Sequence, residues 1–319
     1  MKDLFSKKNC FKLILGAANT DLYRIERLVA VYAKAGARFF DMAADINAFN
    51  AAKKGLDRVV EKEDQNNFYF CASIGVNNDQ HLSKIRVDHS SCNLCERCID
   101  LCSYGAISIK RNTLIIDKNL CFGCKKCLAV CDSLSLCSEN IEINNILPEL
   151  IHSGIDCIEL HVSGESQNEI FGIWDVLNTI YDGTLSISIG RRDYGDKKLI
   201  ELIRLMLKDR KPYSTIIQAD GMPVSGHDDS YKTTLHSVAT GEIIQNANLP
   251  AYLILAGGTN SKTAELAHLC GVYPDGIAVG SYARNLIKEF IDEENLFNDE
   301  EIFNKAVERA RRLIQLKKA

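Results

Sequence analysis

Eight cysteines between Cys92 and Cys131 constrain the folding of this chain more than any other stretch of its sequence. They form two runs with the same spacing, C-x2-C-x2-C-x3-C: Cys92, Cys95, Cys98 and Cys102, then Cys121, Cys124, Cys127 and Cys131. A loop that carries three thiols at such short intervals can wrap tightly around one bound group. The fourth thiol of each run follows about one helical turn later.

The spacing predicts two [4Fe-4S] clusters, because it is the spacing of bacterial two-cluster ferredoxins, in which the fourth cysteine of each run binds the other cluster. We therefore assign the ligands in two crossed sets: Cys92, Cys95, Cys98 and Cys131 for one cluster, and Cys121, Cys124, Cys127 and Cys102 for the other. Proline usually follows the last cysteine of such a run, whereas Ser103 and Asp132 stand here. This difference bears on cluster potential and solvent access and not on ligation.

Zinc and disulfide bonds are the alternatives for these cysteines. Zinc modules usually separate their C-x2-C pairs widely and need no third and fourth cysteine at these offsets. Disulfides need an oxidising compartment and cysteine vectors that such close spacing seldom provides. A structural zinc protein that works by binding other proteins is therefore the weaker alternative.

Length, composition and charge limit the classes of function. With 319 residues, 46% of them hydrophobic, the chain can form two average domains or one large α/β barrel. Its net charge of -4 gives no electrostatic basis for a nucleic-acid partner or an anionic membrane. The apolar piece at 13–18 is too short for a membrane span and too weak for a signal peptide. We expect a cytoplasmic protein, in which thiols stay reduced and clusters are assembled.

Outside the cysteine runs, short apolar strands alternate with helical patterns. We predict eight strands, at 12–17, 38–43, 68–74, 156–162, 184–189, 215–220, 251–256 and 276–279. Eight such repeats predict a (β/α)8 barrel of the TIM type, and a doubly wound open sheet is the alternative.

The cysteine segment interrupts this alternation after the third strand. The predicted organisation is a first part of the barrel at 1–76, a ferredoxin-like insertion with two [4Fe-4S] clusters at 77–140, and the rest of the barrel at 141–319. A strand-to-helix loop opens on the C-terminal face of a barrel, where barrel enzymes carry out their chemistry. We therefore expect the clusters to lie over the mouth of the barrel.

Alternation along the strands also predicts which side chains point into the barrel. Three inward carboxylates, Asp41, Glu159 and Asp220, are candidate catalytic residues, because carboxylates at the C-terminal ends of barrel strands are commonly catalytic. The alternative is a hydrogen-bonded polar layer that holds the loops. Four more inward positions follow from the same count: Cys157, His161, Ser188 and Gln218.

The last two strands end in glycine-rich turns. Gly257 and Gly258 follow one strand, Gly280 and Ser281 follow the other, and Arg284 lies one turn into the next helix. Glycine lets a backbone approach an anion, helix N-termini offer N–H groups, and many barrels hold a phosphate at this place. These five residues are candidate ligands for FMN or another phosphate-bearing molecule, with simple turn chemistry as the alternative.

Residues 11–17, the double cysteine run, residues 218–226 and residues 255–260 together carry a resemblance to a known family. On these stretches the chain resembles the cyanobacterial light-dependent-period family of iron–sulfur proteins. The resemblance implies redox sensing in the input to the circadian clock, with clock-input signalling proteins, including a sensor histidine kinase complex, as partners. It implies no particular substrate.

Two functions are compatible with these residues. The first is a redox sensor or electron relay whose clusters exchange electrons with carriers such as quinone or ferredoxin. The second is an oxidoreductase that passes electrons from the clusters to a flavin or a phosphorylated ligand in the barrel, with the three carboxylates handling protons.

Overall fold

The computed structural model describes residues 1–6, 8, 10–16, 21–76, 83–102, 105–118, 120–121, 124–140, 143–162, 166–192, 194–221 and 230–315. Within them lie twelve strands: β1 (Cys10–Gly16), β2 (Phe39–Ala43), β3 (Tyr69–Gly75), β4 (Ser83–Val87), β5 (Ile107–Lys110), β6 (Thr113–Ile116), β7 (Leu136–Asn140), β8 (Cys157–Val162), β9 (Thr184–Gly190), β10 (Thr215–Asp220), β11 (Tyr252–Ala256) and β12 (Gly276–Val279).

The described α-helices are α1 (Lys2–Ser6), α2 (Leu22–Ala35), α3 (Ile46–Asp57), α4 (Arg97–Asp100), α5 (Ile143–His152), α6 (Gln167–Ile180), α7 (Asp196–Leu207), α8 (Tyr231–Asn246), α9 (Thr263–Leu269), α10 (Ser281–Leu286), α11 (Lys288–Ile291) and α12 (Glu300–Gln315). Two short 3₁₀ helices accompany them, at Lys62–Asn67 and Lys126–Val130. Over these described ranges, no helix combines the length and apolar character that crossing a membrane requires.

Eight parallel strands close into a barrel in the order β1, β2, β3, β8, β9, β10, β11 and β12, and β12 pairs back to β1. The predicted barrel is therefore confirmed, and the open sheet is excluded. Each of the eight predicted strands agrees with an observed strand to within two residues at either end. The agreement follows from the strong apolar character of strands that are covered by helices on one side and by the barrel interior on the other.

Strand alternation divides the barrel side chains between two apolar layers. Outward-facing residues such as Leu13 and Leu160 pack against the surrounding helices in the main core. Inward-facing Phe39 belongs to a second cluster, formed at the N-terminal ends of the strands and closed by Phe5 of α1. Phe5 is 1% exposed, and its ring stacks on Tyr252 with 4.4 Å between the centroids. Apolar side chains thus close the N-terminal end of the barrel.

The cysteine segment leaves the barrel after β3 and returns to it at α5. It forms two antiparallel pairs, β4 with β7 and β5 with β6. It also buries a small apolar core of its own, which includes Ile85, Leu114 and Leu136. Residues 77–82 and 141–142, where the sequence predicts the boundaries of the insertion, lie outside the described residues, so those boundaries stay a prediction.

The segment consists of two copies of one unit, each a strand, a cysteine run and a second strand. Every cysteine of the second run follows its counterpart in the first by 29 residues. The backbone repeats with the same offset, because Glu96 and Lys125 have φ of 64° and 61°, and Gly105 and Leu134 have φ of 63° and 52°. Each strand pairs with a strand of the other copy, so the two cysteine runs lie side by side.

Candidate functional site

The first predicted cysteine set converges on Cys98. Burial raises the pKa of the Cys98 thiol, and the neighbouring thiols of Cys95, Cys92 and Cys131 raise it further. These are the four residues that the spacing assigns to one cluster, and Cys131 reaches them from the second run. The members of this set are therefore neighbours, and their crossed assignment to one cluster stays a prediction.

The second predicted set surrounds a cavity. Cys102, Cys121, Cys124 and Cys127 all line it, together with apolar side chains that include Ile107. Burial raises the pKa of Cys127 to about 11, and the thiols of Cys121 and Cys124, and that of Cys98 from the first set, add to this effect. Here Cys102 is the member that comes from the other run. All eight thiols of the two sets are free of disulfide bonds.

The backbone of each run reverses between its second and third cysteines. Glu96 in the first run and Lys125 in the second both adopt a left-handed conformation, and a short helical turn begins directly after each of them. Such a left-handed residue beside helical ones turns successive N–H groups to one side, which forms the nest found at many phosphate and iron–sulfur sites. The thiols and the backbone of both runs therefore fit a [4Fe-4S] cluster.

Hydroxyl groups lie close to the last cysteine of the second run. The sulfur of Cys131 lies 3.3 Å from the hydroxyl of Ser135 and 3.6 Å from that of Ser133. Burial raises the pKa of Cys131, but these hydrogen bonds outweigh it and lower the pKa to about 7. Ala106 stands 29 residues before Ser135, so Cys102 has no hydroxyl at the equivalent position of its own run.

An exposed ion pair joins the two runs beside the first set. Arg97 donates to the carboxylate of Asp132 at 2.6 Å and also hydrogen-bonds Cys95, whose pKa it lowers.

On the side that faces the barrel, the ammonium of Lys84 donates to the carbonyl oxygen of Cys121 at 2.8 Å. Burial lowers the pKa of Lys84, whereas Cys121 and Asp45, which caps α3 of the barrel, raise it. The cysteine segment thus approaches the barrel at the loop after β2.

A buried lysine, which sequence reasoning missed as a site residue, lies in the barrel interior. Lys12 is 1% exposed, and its Nζ lies 2.8 Å from Asp41 and 2.5 Å from Glu159. It also donates to Gln218 at 2.9 Å. Alternation along β1 carried a usable signal, since Lys12 shares the inward side of an otherwise apolar strand with Cys10.

Two of the three predicted carboxylates contact this lysine, whose single positive charge offsets one of them. Burial lowers the pKa of Lys12, but attraction to Asp41 and Glu159 outweighs it and holds the pKa well above its ordinary value. Burial also opposes the charge of Glu159, yet the nearby ammonium lowers the pKa of this carboxyl. For Asp41 burial prevails and raises the pKa. Lys12 and Glu159 therefore form a buried ion pair, and Asp41 is the first of the two carboxylates to accept a proton.

Asp41, Cys71 and Glu159 also present ligand atoms within 4.8 Å of one another, and they are the one such trio among the residues that the structure describes. The ammonium of Lys12 already bridges the two carboxylates, so a metal ion would have to displace a bound cation. Ser73 donates to Asp41 at 2.5 Å, which completes this layer of hydrogen bonds. The contacts favour the polar-layer alternative for Asp41 and Glu159, whose catalytic role stays a prediction.

The third predicted carboxylate, Asp220, lies closer to the mouth of the barrel. Ser188 donates to Asp220 and lies 3.4 Å from Nδ1 of His161. Gln218 donates to Ser188 at 3.3 Å, so hydrogen bonds connect Asp220 to the Lys12 layer. Burial raises the pKa of Asp220 to about 6, against the opposing effects of His161 and Ser188. The predicted inward orientation of Glu159, His161, Ser188, Gln218 and Asp220 is thereby confirmed.

The residues predicted to hold a phosphate lie at the ends of β11 and β12, and several are occupied by contacts within the protein. A Cβ atom on Gly257 would come within 2.6 Å of the backbone nitrogen of Gly221, so glycine is needed for two turns to touch. Arg284 donates to the carbonyl oxygen of Ile14 at 2.6 Å and to Ser281 at 3.3 Å. Phosphate binding by this group, which includes Gly258 and Gly280, stays a prediction.

Two solved structures are similar to this chain, and the one with the higher TM-score supports the fold alone. The α subunit of tryptophan synthase from Legionella pneumophila matches with a TM-score of 0.51 and 11% identity, over 99% of this chain and 96% of that chain. An aldolase from Escherichia coli K12 matches with a TM-score of 0.44 and 9% identity, over 98% and 92% of the two chains. Of the stretches that carry the resemblance noted from the sequence, residue 17, residues 103–104, 119 and 122–123 of the double cysteine run, and residues 222–226 lie outside the described residues.

Comparison with protein families identifies the chain more closely. A protein named Light dependent period A from Synechococcus elongatus is 28% identical over 293 residues, which cover 88% of this chain and 82% of that protein. The family model described as Light dependent period A C-terminal domain matches residues 149–316, more than half of the chain. This range supplies β8 to β12, and β1 to β3 must close the barrel with them. The chain belongs to the Light dependent period A family.

Proposed function

We propose that this chain is an iron–sulfur protein that reports cellular redox state within light-dependent control of the circadian period. One observation carries the proposal: each cysteine set assigned from spacing has its members close together, including the one from the opposite run. The name of the family supplies the physiological setting, a period that depends on light.

Eight residues would hold the two clusters, in the sets Cys92, Cys95, Cys98 and Cys131, and Cys121, Cys124, Cys127 and Cys102. When bound, each cluster supplies one-electron transfer. The chain leaves Cys95 exposed while it buries Cys98, Cys121 and Cys127. Electron transfer needs close approach of the carrier but no access of solvent to the cluster. The exposed Cys95 beside buried thiols therefore suits exchange of electrons with a carrier such as quinone or ferredoxin.

Signalling requires a surface that differs between redox states and that a partner can read. The ion pair of Arg97 and Asp132 is the surface element that we favour, because it is exposed and joins the two runs next to Cys95. We propose a sensor histidine kinase complex of the clock input as the partner, in keeping with the family.

The test compares kinase binding to the oxidised and the reduced protein, after anaerobic purification and poising with quinone and quinol. We expect reversible bleaching of the visible absorption and a difference in binding between the two states. Arg97→Gln should diminish that difference at unchanged iron content, whereas Arg309→Gln, which breaks an exposed pair with Glu289 on the barrel, should not. Equal binding in both redox states would overturn the sensing role.

The second candidate function is an oxidoreductase that passes electrons from the clusters to FMN or another phosphate-bearing ligand in the barrel. The observation in its favour is the series of hydrogen bonds that leads from Glu159 through Gln218 and Ser188 to Asp220 at the mouth. Such a series suits proton handling beside a reacting ligand. Release of stoichiometric flavin from the purified protein would favour this function, and its absence would favour the sensor alone.

A further inference from the structure

We propose that the mouth of the barrel holds a binding site for a small organic acid that also carries a hydroxyl or amino group. The site is a cavity of about 580 Å³ between the loop after β9 and the helix α8. Among the described residues its lining includes Arg191, Arg192, Gly195, Asp220, His236 and Thr240. This volume lies within the range of about 300–1,000 Å³ that is typical of small-molecule sites.

One wall of the cavity is positive. Arg191 and Arg192 directly follow β9, and Asp196 accepts two hydrogen bonds from Arg191, at 2.8 and 3.3 Å. Because Asp196 neutralises Arg191, the net charge that the described residues give this wall comes from Arg192. The 12-residue helix α7 begins here after Gly195, which provides no side-chain cap for the first N–H groups. A guanidinium beside the N-terminus of a helix is a favourable environment for a carboxylate or phosphate group.

The opposite wall offers an acceptor. Asp220 lines the cavity with a carboxyl group that Ser188 holds from the barrel interior. His236 and Thr240 lie one turn apart on α8, and Thr240 donates to the carbonyl oxygen of His236 at 2.8 Å. A buried carboxyl group is stabilised by a ligand that donates to it. The second recognition element is therefore a hydroxyl or amino group on the ligand.

These two walls define the ligand class, a carboxylic acid or phosphate ester with a donor group a short distance from the anion. None of the residues predicted to hold a phosphate after β11 and β12 lines this cavity. The site depends on no cluster ligand, so it stands or falls independently of the proposed redox function. Binding at this site would make the chain respond to the concentration of a small anionic metabolite as well as to redox state. The ligand would lie beside Asp220, where the series of hydrogen bonds from Glu159 ends.

Calorimetric titration of the intact chain tests the site with malate, succinate, glycerol 3-phosphate and inorganic phosphate as probes. We expect saturable binding of malate or glycerol 3-phosphate, and the stronger of the two reveals whether the anion is a carboxylate or a phosphate. Arg192→Gln should weaken that binding by about tenfold, the loss that corresponds to one charge-assisted hydrogen bond of about 1.4 kcal/mol. Arg204→Gln, an exposed change on α7 outside the cavity, should leave the affinity unchanged.

A second variant isolates the donor group of the ligand. Malate exceeds succinate by one hydroxyl, so Asp220→Asn should reduce the preference for malate while the affinity for succinate changes little. Absence of saturable binding by every probe would overturn the site. So would binding that neither Arg192→Gln nor Asp220→Asn alters.

Discussion

Gly105 and Leu134 occupy equivalent positions 29 residues apart, and each donates its backbone N–H to the carbonyl oxygen of the last cysteine in its run over 3.1 Å. Both have positive φ, at 63° and 52°. Glycine adopts this conformation freely, whereas leucine does so at a cost of about 1–2 kcal/mol. The same turn therefore ends both cysteine runs. In the second run, a leucine adopts a backbone conformation that is unfavourable for it.

Replacement of Leu134 by glycine should stabilise the protein. The side chain is 83% exposed and contributes little to packing, so Leu134→Gly removes strain at a small loss of contacts. We expect a gain of up to about 1 kcal/mol in the free energy of unfolding, measured by urea denaturation. Leu205→Gly, at an exposed position inside α7, should instead cost about 1 kcal/mol. A loss of stability in Leu134→Gly would show that the left-handed turn is not strained.

The two proposed clusters should differ in reduction potential. A hydrogen bond to a ligand sulfur favours the reduced cluster, which carries more negative charge, and so raises its potential. Ser135→Ala should therefore lower the potential of the cluster that Cys131 serves, and Ala106→Ser should raise that of the cluster that Cys102 serves. Potentiometric titration followed by electron paramagnetic resonance measures both. Thr113→Ala, which removes an exposed hydroxyl bonded to the carbonyl oxygen of Arg111, is the control, and equal potentials in all variants would contradict the prediction.

Removal of Lys12 should destabilise the barrel severely. Lys12→Met keeps most of the volume but leaves Asp41 and Glu159 buried without their cation, a change that typically costs about 3–5 kcal/mol. Lys305→Met breaks an exposed pair with Glu301 and should change the stability far less, because solvent screens that pair. Adding Glu159→Gln to Lys12→Met should recover part of the loss. Urea denaturation measures all three variants, and a Lys12→Met protein as stable as the wild type would rule out a buried ion pair.

Asp220 should make stability depend on pH. Its pKa is raised by burial from the ordinary 3.8 to about 6, so the folded protein binds a proton that the unfolded chain has released. Stability therefore falls as the pH rises from about 4 to about 6 and becomes level above that range. The charge on Asp220 also interacts with His161, Glu159 and Lys12, so the pKa of Asp220 depends on these three groups.

The variant Asp220→Asn removes this contribution. Between pH 4 and pH 6, its free energy of unfolding should increase relative to the wild type, by an amount on the order of 2 kcal/mol. Unfolding at a series of pH values measures the difference, and parallel curves for the two proteins would show that Asp220 titrates at its ordinary pKa.

The sequence predicted the barrel well because its strands carry a local signal. The residues of β8 and β10 alternate between side chains that face the helices and polar ones that face inward, so Glu159 and Gln218 could be oriented without a structure. The role of Lys12 could not be predicted in the same way. Its partners Glu159 and Gln218 lie 147 and 206 residues away, and only closure of the barrel brings them together.

The cysteine segment shows the same limit. The spacing was sufficient to propose the two crossed sets of ligands, because it matches that of two-cluster ferredoxins, in which the fourth cysteine of each run binds the other cluster. The contacts that distinguish the sets depend on the path of the chain after each run. Ser135 reaches Cys131 only because the turn at Leu134 directs the following strand back past the sulfur.

The proposed function depends on eight cysteines that hold two [4Fe-4S] clusters in crossed sets. Iron and acid-labile sulfide, quantified together on anaerobically purified protein, test it most directly. We expect about eight irons and eight sulfides per chain, and about half as many in Cys98→Ala and in Cys127→Ala. A colourless protein that contains zinc, or no metal at all, would contradict it.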